Sequence, residues 1–264
     1  MTGRRIVLGS LSSAMDGGFT AVSDVSRAMA AAGTAAEYRL IGGMTVMLHV
    51  QRLRLDLPLR GTADADFGVP PHVLRESDLV ESIEALGYTK TFGNRWERPI
   101  DGGGVAAVDL LVPAYTSRSR DTVRVGDVVT TEVPGLAEAF RRPGVTVEAE
   151  LHMTGGAMLV ADIVLPDAIG TLALKAGARS VRHEDRDAED LWRCLEIAAA
   201  DGVTPEMFDG DTALQELRSA LWRELGPKGH SLASLTGDLQ PDAAAQRRTR
   251  VRALLAETIG TTGA

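Results

Sequence analysis

The sequence holds one cysteine, Cys194, among its 264 residues, so no intrachain disulfide can form. That cysteine stands in LWRCLEIA, among apolar residues at helical spacing, which predicts a buried structural thiol and not a reactive one. Aromatics make up only 4% of the residues, which leaves Leu, Val, Ala and Met to fill the core. No stretch approaches the roughly 20 apolar residues of a membrane span. Near the start, IVLGSLSSAM is interrupted by glycine and serines, unlike the continuous apolar centre of a signal peptide. These features predict a cytoplasmic protein with no membrane association. Positive charge is in deficit, 28 Lys and Arg against 36 Asp and Glu, for a net charge of −8. That balance argues against a broad coating of nucleic acid. The basic residues are uneven, however. RRTRVR (247–252), SRSR (117–120) and the pair Arg141-Arg142 read either as solvated faces or as local contacts for RNA. The five histidines show no H-x-x-x-H spacing and no cysteine partner, so no zinc site is expected. Neither G-x-G-x-x-G nor G-x-x-x-x-G-K-[ST] occurs, which removes the support for a dinucleotide fold or a P-loop.

What is there is an ordinary globular balance, 44% hydrophobic and 24% charged, in a chain long enough for one large domain or two small ones. SDVSRAMAAAG reads as a helix capped by Ser23 or Asp24 and ended by Gly33. EYRLIGG reads as a strand running into a glycine turn. MTVMLHVQRLRL comes next with helical periodicity, and TADADFGV alternates like a strand. PPHVLRESDLVESIEALGY reads as one helix closed by Gly87. RWERPI and GVAAVDLLVPAY read as strands about a DGGG turn. Residues 124–150 are less regular. TVEAELHM and AMLVADIVLP form a hairpin about Gly155-Gly156. Helices are then expected over PDAIGTLALKAGAR, DAEDLWRCLEIAAAD, TALQELRSALWREL and PDAAAQRRTRVRALLAETI, with a frayed tail. No internal repeat is visible. The expected fold is α/β (α+β): a sheet domain over residues 1–165 and a helical C-terminal part over 166–264.

The chemistry-bearing stretch is IGGMTVMLHVQRLRLDLPLRGTADADFGV. Alternation along a strand puts Asp64 and Asp66 on one face, where two carboxylates repel unless a cation lies between them. Mg²⁺ favours such oxygen ligands; the alternative is an exposed strand end, where both acids simply face water. Gly42-Gly43 sits between a strand and a helix, where backbone N–H groups can approach a phosphate. Asp109 interrupts an apolar strand, AAVDLLVP. Burying a lone charge there costs several kcal/mol unless it is shared with a metal or paired with an arginine.

The order G-G, helix, R-x-T-x-D-x-D-F resembles the AbiEii-type nucleotidyltransferases, toxins of type IV toxin–antitoxin systems within the DNA polymerase β-like superfamily. The matching residues are Gly42, Gly43, Arg60, Thr62, Asp64, Asp66 and Phe67, with Asp109 as the downstream strand acid. A later family pattern, K-x-x-A-x-x-x-R followed by K-D-x-x-D-L, is met by Lys175, Ala178, Arg182, Asp187, Asp190 and Leu191, with Arg186 in place of its second lysine. Ala65 stands where the family has Ile or Leu, and Met44 where a serine would follow the glycines, which leaves Thr45 as a substitute hydroxyl. The resemblance runs from about residue 38 to 195.

Without the family, Lys175 and Arg182 share one helix face and Asp187 and Asp190 the next, as in a salt-bridge network joining two helices. With it, Lys175 is expected to bind a nucleotide phosphate as a point charge, and Asp187 to orient that lysine or activate the acceptor. The resemblance implies Mg²⁺ or Mn²⁺ held by Asp64, Asp66 and Asp109. Phosphates would be held by Gly42, Gly43, Thr45, Arg60, Thr62 and Lys175. The expected reaction moves NMP from an NTP to an acceptor hydroxyl, with a tRNA 3′ end or another RNA as acceptor, the 247–252 run on the acceptor path and an antitoxin as partner. The alternatives are an antibiotic or other small-molecule nucleotidyltransferase and a catalytically inactive binding domain.

Overall fold

The computed structural model describes residues 5–58, 61–116, 119–182 and 184–261. Arg60, His183, the first two residues of the SRSR run and the end of the tail lie outside them. The fold is mixed α/β. Two sheets carry the first part of the chain, and helices carry the chain beyond Leu165.

The smaller sheet has the order β1-β9-β10, with β1 (Arg5–Gly9) parallel to β9 (Val145–His152) and β10 (Met158–Leu165) antiparallel to it. The larger sheet is built on the long strand β6 (Val105–Pro113). On one side β6 pairs in parallel with β3 (Ala65–Gly68), which is antiparallel to β2 (Arg39–Ile41). On its other side β6 first pairs with β5 (Arg95–Pro99), the partner of β4 (Thr89–Phe92). Its last residues pair with β8 (Val128–Val133), the partner of β7 (Val123–Val125).

Helix α1 (Ser13–Ala31) lies against β6 of one sheet and β10 of the other and is buried on nearly every side. It begins ten residues ahead of the expected start. Ser12 caps it, accepting from the Met15 amide at 3.2 Å. The Gly17-Gly18 pair that looks like a turn is a place of close approach: a Cβ on Gly17 would collide with the Val105 carbonyl of β6. Asp24, expected as a cap, is buried in mid-helix, where Tyr88 Oη donates to it at 3.0 Å and Arg98 Nη2 at 2.6 Å. The helix expected from Pro70 to Gly87 is two, α3 (Pro71–Glu76) and α4 (Leu79–Ala85). Ser77 is extended between them, and both its backbone N–H and its hydroxyl donate to the Val73 carbonyl at the end of the first helix. The irregular stretch 124–150 holds β8, α5 (Leu136–Arg141) and the start of β9.

The expected C-terminal helices are α6 (Ala168–Val181), α7 (Asp185–Ala200), α8 (Thr212–Leu225) and α10 (Pro241–Thr258), joined by an unexpected α9 (His230–Gly237). Their apolar faces form a second core around Leu172, Leu191, Leu195, Leu221 and Leu254. Helix α2 (Gly42–Leu53) contributes to both cores, Met44, Met47 and Leu48 to the first and Val46 and Val50 to the second. Cys194 is fully buried in the second core, where burial pushes its thiol up to about 12, as an inert structural thiol requires. Among the described residues no helix is long and apolar enough to cross a membrane.

Candidate active site

Strand register brings the acids together. Ile41 pairs with Asp66, Asp66 with Asp109, and Asp109 with Arg95, so β2, β3, β6 and β5 present one row across the sheet. In-register neighbours on adjacent strands share a face about 4.8 Å apart, so the Asp66 and Asp109 carboxylates stand side by side. Asp64, two residues before Asp66, precedes the strand and is exposed. Gly42 comes after Ile41 at φ +76, a left-handed backbone that favours glycine, and a Cβ there would collide with the Asp66 carboxylate. The start of α2 therefore lies against the acids. Its N-cap Ile41 makes no side-chain capping bond, which leaves the amides of the first turn without a cap.

Burial raises the Asp66 carboxyl above its ordinary range, and the charge of Asp64 adds to this. Lys175, Arg182 and Arg95 oppose the rise. Asp109 is pushed up to about 6, first by burial and then by the charge of Asp66. Asn94 Nδ2 donates to Asp109 Oδ1 at 3.2 Å. A cleft of about 460 Å³ opens over this row, with Gly42, Asp66, Asn94, Asp109, Thr131 and Arg182 among its lining.

Arg95 spans the acids. Its Nη2 donates to Asp64 Oδ1 at 2.6 Å, its Nη1 to Asp109 Oδ2 at 2.9 Å and its Nε to Glu97 Oε1 at 2.7 Å. Residue type and spacing alone did not single out Arg95, although a signal was present. Counting seven residues each way from Gly102 sets Arg95 opposite Asp109.

The second cluster adjoins the first. Lys175 Nζ donates to Asp190 Oδ2 at 2.8 Å, and Arg193 Nη1 donates to Asp190 Oδ1 at 3.1 Å. Arg182 Nη2 reaches Asp187 Oδ1 at 3.5 Å, while Asp187 Oδ2 is buried without a hydrogen-bond partner among the described residues. The lysine is thus paired with Asp190, and Asp187 does not orient it. Lys175 is buried and does not line the cleft; Arg182, at the end of the same helix, does. Thr45 is also buried and donates its hydroxyl to the Leu40 carbonyl, so it does not stand in for a phosphate-binding serine. Gly43 lines a small crevice with Asp190 and Arg193, and Thr62 lies in the irregular approach to β3. The basic run on α10 is engaged with the protein itself. Arg247 stacks 3.7 Å from the Trp192 ring centroid, and Arg250 Nε donates to Glu196 at 3.0 Å.

A divalent cation suits the chemistry of the paired acids, hard oxygen donors that burial and mutual charge push towards protonation. As they stand, no group of three or more acidic, histidine or cysteine side chains among the described residues forms a ready metal cage. Arg95 holds Asp64 and Asp109. Comparison with known protein families, with curated protein sequences and with solved structures gives no match to this chain.

Proposed function

We propose that this protein is a metal-dependent nucleotidyltransferase of the polymerase β-like kind, moving NMP from an NTP to an acceptor hydroxyl. One observation carries the reading: Ile41, which leads into the glycine turn of α2, Asp66 and Asp109 stand in register on three neighbouring strands. Asp66, Asp109 and, once freed from Arg95, Asp64 would hold Mg²⁺ or Mn²⁺, which supplies neutralising charge for the triphosphate. The first-turn amides of α2 would take phosphate oxygens, helped by the helix dipole. Arg182 would add a guanidinium from the far element of the cleft. Lys175 would act from behind, its charge tempering the acids while Asp190 fixes its place. The AbiEii resemblance extends the proposal to an RNA acceptor such as a tRNA 3′ end, and to a toxin with an antitoxin partner.

A second reading, a small-molecule acceptor, is favoured by the engagement of Arg247 and Arg250 with Trp192 and Glu196. The test is incubation of the purified protein with each labelled NTP, Mg²⁺ and total RNA. Transfer to RNA is expected from the wild type, and none from a folded Asp66→Ala variant. Transfer to small hydroxyl compounds alone would select the second reading. A folded Asp66→Ala protein that still transfers nucleotide would end the proposal, and metal binding without transfer to any acceptor would leave a binding domain.

A further inference from the structure

Arg95 is placed like a cation that belongs to the acids. Its strand sets it directly across from Asp109, and its fork reaches Asp64 and Asp109 at once. Its third arm goes to Glu97, two residues along the same strand and therefore on the same face. The guanidinium is about 30% exposed and Asp64 about 50%, so solvent screens the first of these pairs and it breaks at little cost. Asp64, Asp66, Asp109 and Glu97 bring four carboxylates around this one arginine, an excess of negative charge that leaves room for a further cation. A guanidinium that has lost two carboxylates keeps its charge and its donors, and these match phosphate oxygens.

We propose that Arg95 is a displaceable counter-cation. It neutralises Asp64 and Asp109 when the cleft is free of metal, and yields them to a divalent ion. It then stays anchored to Glu97 with two arms turned to the triphosphate. This rests on the metal-dependent reading above. It makes Arg95 a positioning residue that couples metal and nucleotide binding: each ligand makes room for, or satisfies, what the other leaves.

The measurement is Mn²⁺ binding, monitored through the electron paramagnetic resonance of the free ion, with and without a non-hydrolysable NTP analogue. It compares the wild type, Arg95→Gln, Arg95→Lys and Asp66→Asn. Without nucleotide, Arg95→Gln is expected to bind Mn²⁺ roughly three- to tenfold more tightly than the wild type, because the competing pairs are gone. The tightening of Mn²⁺ binding by the analogue should shrink in the same variant. Arg95→Lys, whose point charge cannot bridge both carboxylates, should fall between the two; it serves as the test should Arg95→Gln not fold. Equal or weaker Mn²⁺ binding in both Arg95 variants, with the wild type binding and Asp66→Asn not, would overturn the proposal and leave the metal site standing. No Mn²⁺ binding by any folded variant, with or without the analogue, would overturn the metal-dependent reading and this inference together.

Discussion

His49 shows how one buried residue sets a pH limit. It sits fully enclosed on α2, Nε2 within 2.8 Å of the Pro166 carbonyl, while Arg52 Nε donates to Nδ1 at 3.2 Å. That pairing requires the proton on Nε2 and leaves none for Nδ1. Burial, then the charge of Arg52, lowers the ring to about 4 from 6.5. A folded pKa below the unfolded one means that the unfolded chain binds more protons between these two values. The stabilisation is complete above about pH 6.5, falls as the pH drops towards 4 and is constant below that, a loss of order 3 kcal/mol. Asp109 acts in the opposite sense. Its carboxyl stays protonated in the fold up to about 6, so stability falls as pH rises from 3.8 to that value. The windows overlap, and the His49 contribution has to be isolated by substitution. His49→Gln keeps a donor for Pro166 and cannot titrate. Its urea stability should fall less than that of the wild type between pH 7 and pH 4.5, and parallel losses in the two proteins would show that His49 does not carry this limit. At this scale the sequence marked Asp64, Asp66 and Asp109 by their pattern alone. Arg95 and the burial of Thr45 depend on register and packing, which residue type does not reveal.

Between elements, the tie of α6 to α7 is a buried ion pair. Lys175 and Asp190 are each under 10% exposed, and their contact joins one helix to the next within the second core. Breaking a buried pair by removing one partner is costly, because it leaves the other charge uncompensated. Asp190 keeps Arg193, so Lys175→Met is expected near the lower end of that range, about 3 kcal/mol of lost stability. Chemical denaturation reads it. Asp190→Asn added to Lys175→Met should recover part of the loss. Unchanged stability with lost nucleotide use would instead place the lysine's charge in the cleft. The helical spacing of Lys175 and Arg182, and of Asp187 and Asp190, was legible in the sequence, because i, i+3 and i, i+7 positions share a face wherever the helix lies. The first half of helix α1 was not: it is buried against two sheets, so it has no polar face to set a period, and its glycines serve close packing. The break between α3 and α4 was hidden for another reason. The apolar stripe resumes after Ser77-Asp78, and the break lies in the extended backbone of Ser77. Edge strand β4 has Phe92 as its one apolar residue and left little pattern.

On the scale of the whole molecule, the cleft lies between the larger sheet and the end of α6, with Ile41, Leu111 and Val133 of a small separate apolar cluster in its lining. Asp66 and Asp109 come from strands of the sheet, Arg182 from the end of a helix packed into the second core, and α2 contributes to both large cores. A ligand that grips both walls stabilises the whole fold and not one part. On the proposed function, metal alone would have to displace Arg95 from Asp64 and Asp109. Nucleotide alone would bring a polyanion to a cluster of carboxylates on a chain of net charge −8. Each ligand would therefore be poorly received singly and favoured when the other is present. Binding confined to the native state raises stability by about 2.7 kcal/mol at 100 times the dissociation constant. For a chain of this size each kcal/mol moves the melting temperature by about 2–4 °C, so a joint rise of roughly 5–10 °C is expected. Mg²⁺ and NTP should each give far less alone, and the transition should move as one. A thermal titration in which the two ligands together do no more than their separate effects combined would break the coupling between the acids and the triphosphate. A joint shift lost in a folded Asp109→Asn protein, and retained in Arg250→Ala, would tie it to the sheet row and not to the basic helix at the end of the chain.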